Sequence, residues 1–377
     1  MTTLTVYFCG TGFTKFDDTN KNYWNGELIS TLANNNLGRE FVDWAIVNGP
    51  GTHNLQADEL FVKSANYGIK AGRLLGKGWE ENVHHAIQLV RGQATWQRSQ
   101  LKKRELKALK AAGVPVANAT REGSWPKSKK NYGERKLTPQ QLQEQLIKVL
   151  RNKEAIPTCV NLIGWSRGAV SCHMMANIML NDGILKDIPI NIFAVDPVPG
   201  ISNFQPNRVT LGANVKEYVG FFARDERSWG FTAAVPHTHS STKVHLYPMA
   251  GRHASLVGDA NAKHLNNPKA LPEPGLIVRH FAETCLTRWN VKIDKKLNLS
   301  DAELESFHDL IREAEADYAL LKKESCTFIT KQYKGQRRVA NGDKGTTFTS
   351  INSPQFQPAA GLAADLMFHE SKYKDIC

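Results

Sequence analysis

Short apolar runs alternate with longer amphipathic stretches along the chain, and the runs stop at glycines or charged turns. Residues 4–8 form one such run, rich in β-formers and closed by Cys9-Gly10-Thr11-Gly12; residues 41–47 form a second, closed by Asn48-Gly49-Pro50-Gly51-Thr52. Further runs cover residues 159–163, 190–195, 217–223 and 243–247. Runs that are apolar at successive positions predict strands buried on both faces, as in a parallel sheet. Between them, helices are predicted over 23–34, 71–90, 138–150, 169–181 and 276–289. Trp79, Val83, Ile87 and Val90 fall near helical spacing, and Leu142, Leu146 and Leu150 recur every four residues behind a capping Thr138. Strand alternating with helix predicts an α/β fold whose mainly parallel sheet is flanked by helices on both faces.

The last part changes character. Residues 300–321 predict one helix, opened by a Ser300/Glu303 capping box. Leu304, Phe307, Leu310, Ile311, Ala314, Tyr318 and Leu321 make its apolar face, opposite a face rich in Asp and Glu. After Ser325 strand signals are weak and turn residues frequent. The predicted organisation is a core over 1–290, interrupted by a basic insertion at about 92–136, and a C-terminal helical cap or accessory region over 291–377.

Composition narrows the class. With 377 residues, 41% hydrophobic and 22% charged, the chain can bury a core and is not disordered. No apolar run approaches the roughly 18 residues a membrane-spanning helix needs. Six cysteines without short paired spacings do not suggest a disulfide framework or a zinc site, and neither metal nor cofactor is expected. Residues 1–5 lack a basic start, so a Sec signal peptide is not expected. Synthesis in a reducing cytoplasm is, with later transfer into a host or target cell by a dedicated secretion system left open. The net charge of +12 is local: residues 91–136 carry thirteen Lys and Arg against three Glu, a net +10. Such a segment suits an anionic membrane surface, ahead of nucleic acid, although a solvated insertion without a partner explains the charge as readily.

The chemistry centres on Gly164-Trp165-Ser166-Arg167-Gly168, a G-x-S-x-G pattern lying between a strand and a helix. Small flanking residues permit a turn sharp enough to lift a serine hydroxyl off the sheet edge. The turn aims the Arg167 N–H at a developing oxyanion, and the helix N-terminus favours that charge. A serine needs an imidazole to take its proton, and the imidazole needs a carboxylate. Asp196 closes the next buried strand and is preferred as the acid; Asp225, which follows the strand after it among Arg224, Glu226 and Arg227, is the alternative and reads as part of a solvated ion-pair cluster. His253, on a glycine-containing loop, is the candidate base, with His237, His239, His245 and His264 as rivals. His173 reads as a packing residue, and the Arg167 side chain as an ion-pairing anchor. The loop Gly10, Thr11 and Gly12 is the candidate second oxyanion donor, with residues 49–52 behind it.

The ordered set Gly10-Thr11, Gly49-Pro50-Gly51-Thr52, Gly78-Trp79-Glu80-Glu81-Asn82, Gly164 to Ala169, Asp196-Pro197-Val198, Asp225-Glu226-Arg227 and Gly251-Arg252-His253 resembles the bacterial α/β-hydrolases that include type VI secretion phospholipase effectors. The chain is also similar to the lipase-like SidB and Sdb effectors of Legionella. The resemblance covers about residues 4–255. It implies an α/β-hydrolase fold, a Ser166–Asp196–His253 triad and a translocated effector acting on lipid. Cys9 departs from it where an aspartate often stands, and the basic insertion and residues after Trp289 have no counterpart in it. The expected activity is a serine hydrolase that cleaves an ester of an acyl lipid through an acyl-serine. A small-ester esterase or protein-deacylating thioesterase, and a non-catalytic module docking on membrane or nucleic acid, are the alternatives.

Overall fold

The computed structural model describes residues 2–24, 26–52, 72–73, 76, 78–92, 120–122, 129–131, 156–259, 270–323, 325, 330–351, 356–357, 361–363, 372–374 and 376. In chain order the first elements are β1 (Thr3–Phe8), α1 (Leu28–Asn34), β2 (Trp44–Val47), α2 (Trp79–Arg91), β3 (Thr120–Glu122) and β4 (Lys129–Asn131). Next come β5 (Cys159–Trp165), α3 (Arg167–Leu180), β6 (Ile190–Val195), α4 (Pro206–Val209), β7 (Val215–Ala223), β8 (Ala233–Val235) and β9 (Lys243–Met249). The chain continues through α5 (Glu273–Arg288), α6 (Asp301–Glu313), α7 (Glu315–Leu321), β10 (Arg338–Asn341), β11 (Lys344–Thr347) and β12 (Phe356–Gln357).

Seven strands form one parallel sheet in the order β12-β9-β7-β6-β5-β1-β2. Helices cover both faces, so the fold is α/β, as the apolar runs predict. Side-chain alternation sorts each strand between two cores. On β5, Ile163 and Trp165 face the layer of α1, α5, α6 and α7, while Val160 and Leu162 face α2 and α3. The chain runs outward from β1 to β2, then returns to the other side of β1 as β5 and proceeds through β6, β7 and β9. The strand order therefore reverses between β1 and β5, and at such a reversal the loops diverge and leave a crevice beyond the strand ends.

Several predicted boundaries move, each for a local reason. The helix expected over 23–34 starts only at Leu28, because Gly26 takes φ 85° against the Asp18 carbonyl and Glu27 caps the first turn. The strand expected from Phe41 starts at Trp44, since Phe41 sits at φ 66°. The helix expected over 300–321 is two helices: the chain leaves helical geometry at Ala314 (ψ 13°), which packs into the core, and Leu310 points away at 40% exposure. The Ser300/Glu303 capping box is present. The helix expected over 138–150 lies outside the described residues, as does nearly all of the basic insertion apart from the antiparallel pair β3–β4.

Residues after 290 contribute directly to the two cores. Leu304, Ile311, Tyr318, Leu321, Tyr373 and Ile376 join one, and Val339, Phe348, Ile351 and Leu362 join the other. β10 pairs with β8, and β12 with β9. No described helix is long and apolar enough to cross a membrane.

Candidate active site

The turn after β5 carries the first candidate residue. Ser166 adopts φ 59°, ψ −127°, a conformation that costs a non-glycine residue about 1–3 kcal/mol and persists only where its surroundings enforce it. The flanking glycines leave room for the turn. A Cβ on Gly164 would overlap the Gly168 backbone, and one on Gly168 would overlap the Phe8 carbonyl. The helix can therefore start directly against the sheet. The Ser166 N–H donates to the Val195 carbonyl at 3.1 Å, and its own carbonyl accepts from Val170 and Val198, each at 3.3 Å. Arg167, whose backbone N–H is the expected oxyanion donor, is the first residue of α3, so its N–H lies at the helix N-terminus.

Asp196 follows β6 and sits at φ 42°, fully buried. Both its oxygens are engaged. Oδ2 accepts from His253 Nδ1 at 2.6 Å and from Arg337 Nη2 at 2.8 Å; Oδ1 accepts from Arg337 Nη1 at 2.5 Å and from the Ala223 N–H at 3.0 Å. Burial alone would push this carboxyl up. The Arg337 charge, and then the bond and charge of His253, outweigh burial and hold it below the usual carboxylate range. With Nδ1 donating to Asp196, the neutral tautomer of His253 leaves Nε2 as its acceptor nitrogen. The His253 ring lies against Trp165 and Phe231, with centroids 5.0 Å away in each case. Its backbone N–H donates to Glu226 Oε2 at 3.1 Å.

Ser166 and His253 line one pocket of about 620 Å³ at the reversal of strand order. Its walls are largely apolar (Phe13, Tyr23, Trp165, Val198, Trp229 and Phe231), with Arg73, Asp17 and Asp259 among the polar lining. Thr11 and Gly12 also line it. Gly12 is not free to stabilise an oxyanion, because its N–H donates to the Pro50 carbonyl at 3.0 Å. Gly10 is pressed against the Trp165 ring, where a Cβ would clash, and Gly49 donates to Phe13. Thr11 is thus the member of the expected loop that both lines the pocket and has no such commitment of its N–H among the described bonds.

Among the described contacts Asp225 does not meet the imidazole. Its carboxylate pairs with Arg224 at 2.9 Å and Lys322 at 3.2 Å and accepts from the Gly251 N–H at 2.9 Å. The expectation of a solvated cluster is overturned: Asp225 and Glu226 are buried, since α7 and the Gly251 loop close over them. The rival histidines are otherwise occupied. His245 Nε2 lies 3.2 Å from Glu217 inside the sheet, His239 contacts Ser241, and His237 packs on Gly342. His264 lies outside the described residues. His173 Nδ1 and Nε2 contact the Arg208 carbonyl and the Tyr218 hydroxyl, and burial pushes its pKa down to about 4. The Arg167 side chain anchors the turn by hydrogen bonds to Thr11 Oγ1 (3.0 Å) and the Arg73 carbonyl (2.7 Å); burial, then Arg208, brings it to about 10.

Nothing local in the sequence marks Arg337. It lies 141 residues beyond Asp196 in an ordinary basic stretch, Gln336-Arg337-Arg338, and is only 1% exposed. The parallel pairing of Val339 with Ala233, which brings it in, carries no local signal.

No protein-family model matches the chain, and no curated protein does. Four solved chains match it in structure. One is described as an uncharacterized protein from Pseudomonas aeruginosa, at TM-score 0.46 and 15% identity over 84% of this chain and 52% of that one. Another is the Tle1 effector bound to the VgrG spike from the type 6 secretion system, at TM-score 0.31 and 12% identity over 68% of this chain and 50% of the other. The chain spans about half the length of each. Likeness at this level carries no activity or residue role to this chain.

Proposed function

We propose that the protein is a serine hydrolase of the α/β-hydrolase kind, cleaving an ester of an acyl lipid through an acyl-Ser166 intermediate. The observation that carries this reading is the 2.6 Å contact of Asp196 with His253, in a pocket that the strained Ser166 also lines. His253 accepts the Ser166 proton as the oxygen attacks the ester carbonyl, then donates it to the departing alcohol. Asp196 holds the imidazole tautomer and offsets the imidazolium charge. The N–H groups at Arg167 and Thr11 are the candidate donors to the oxyanion. Water, deprotonated by the same imidazole, then releases the acid and restores the serine.

The acyl-lipid preference draws on the apolar pocket wall and on the sequence resemblance; the resemblance alone supports a translocated effector. Hydrolysis of micellar long-chain lipid esters, compared with soluble short-chain esters, tests the substrate class. Faster turnover of the micellar lipid is expected, and a preference for soluble esters would shift the reading to a small-ester esterase. In either assay Ser166→Ala is expected to abolish turnover with the fold intact, and unchanged turnover would overturn the mechanism.

A further inference from the structure

Asp196 is a buried carboxylate with a buried arginine on one side and an imidazole on the other. The guanidinium of Arg337 reaches both Asp196 oxygens, at 2.5 and 2.8 Å, and also donates to the carbonyls of Ala223 and Phe231. It thereby ties the end of β7 and the loop before β8 to the carboxylate. We propose that Arg337 is a positioning residue for the Asp196–His253 pair: its two-pronged bond fixes the carboxylate and offsets its charge, so that the carboxylate keeps one geometry toward His253 Nδ1. The proposal rests on the reading of the pair as an acid–base unit, and it gives residues far down the chain a share in the chemistry.

A carboxylate without Arg337 would face the imidazole alone, and the pair would take up its first proton at higher pH. A histidine already protonated cannot act as a base. A charge on Arg337 also removes the pressure of burial on Asp196, which keeps it ionised and its hydrogen-bond geometry fixed. The other charges around the pair are placed differently. Glu226 faces the His253 backbone, and Arg227 donates to the carbonyls of Arg224, Glu226 and Gly335. Asp225 is matched by Arg224 and Lys322. From the pocket side Asp17, Asp259, Arg73 and Arg167 line the same space, and the Tyr218 phenol lies on the sheet side, where the Asp196 charge acts on it. Among these, Arg337 alone is described in contact with the Asp196 carboxylate.

The test follows the His253 ring by proton–nitrogen NMR across pH in the full chain, with His253→Gln assigning the signal, alongside the rate at which a fluorophosphonate labels Ser166. In Arg337→Gln the titration midpoint is expected to rise by at least one pH unit, a tenfold gain in proton affinity. The acid limb of the labelling rate should rise with it. In Arg337→Lys, charge returns without the two-pronged bond: the midpoint should stay within about threefold of the wild type in affinity, while labelling slows at every pH. A bracing role alone would lower thermal stability in Arg337→Gln and leave the midpoint where it was. A folded Arg337→Gln that titrates at or below the wild-type midpoint overturns the proposal. If Arg337→Gln does not fold, Arg337→Lys decides: labelling at the wild-type rate overturns it. A wild type that never labels, together with a shifted midpoint in Arg337→Gln, would instead sink the hydrolase reading and leave the hold of Arg337 on the pair standing.

Discussion

At the scale of single residues the protein keeps several ionisable groups out of water, and each is handled differently. Asp196 has four donors to its two oxygens, whereas Glu27 has fewer. Its Oε2 accepts from the Ser30 N–H and hydroxyl at 2.9 Å each, but Oε1 has no hydrogen-bond partner among the described contacts. Burial pushes the Glu27 carboxyl up to about 7. A carboxyl that holds its proton more tightly when folded than when unfolded contributes fully at pH below its ordinary value near 4.5. That contribution is lost as pH rises through about 7. Glu27→Gln keeps the acceptor for the Ser30 N–H and removes the titration. Its stability relative to wild type is expected to improve between about pH 4.5 and 7, by on the order of 3 kcal/mol, and then level off. Denaturant unfolding at a series of pH values checks this; parallel profiles for the two proteins would refute it. The sequence marked Ser166, Asp196 and His253 because each closes a strand or follows one on a glycine loop. Glu27 and Arg337 carry no such mark, since nothing local in the chain distinguishes a buried charge from an exposed one.

At the scale of elements the strand–turn–helix unit of β5 and α3 does most to position the site. Gly168 lets α3 approach the end of β1, where a side chain would meet the Phe8 carbonyl. Gly168→Ala is therefore expected to cost about 1–3 kcal/mol by overpacking and to reduce activity beyond the loss of stability, because the turn at Ser166 must shift. Thermal unfolding and turnover of the soluble fraction measure both. A variant with wild-type stability and rate would show that the contact is not needed. The strands and this helix were legible because their apolar runs are buried on both faces and stop at glycines. The break at Ala314 was not, because a residue as helix-compatible as alanine ends α6 only where the core beneath it requires a turn. β10 was equally hidden: its four residues gain their place from pairing with β8, over a hundred residues earlier.

At the scale of the whole molecule, sheet order explains where the pocket lies. Reversal between β1 and β5 opens a crevice at the strand ends, and the loops after β1, β5, β6 and β9 converge there with residues 11–12, 166, 196 and 253. The general layout could be read from the sequence, since order of elements and runs of charge are properties of the string. The charge of residues 91–136 is one such property: +10 of the chain's +12. If this segment docks on anionic lipid, as its composition suggests, the full chain should cosediment with vesicles containing about one-third phosphatidylglycerol at low salt. It should be released as ionic strength shortens the screening length to a few ångströms near 1 M salt. Neutralising Lys102, Lys103 and Arg104 together should weaken that binding several-fold. Binding that ignores both salt and these substitutions would remove the electrostatic surface from the account.

If Ser166 is an activated nucleophile, covalent capture measures it most directly. Incubation of the full chain with a fluorophosphonate, followed by peptide mass spectrometry, should place a single adduct on Ser166. Ser166→Ala should take up none, Asp196→Asn should label orders of magnitude more slowly, and Asp225→Asn should label at close to the wild-type rate when folded. A wild-type protein that stays unmodified, or one modified equally well without Ser166, would contradict the account.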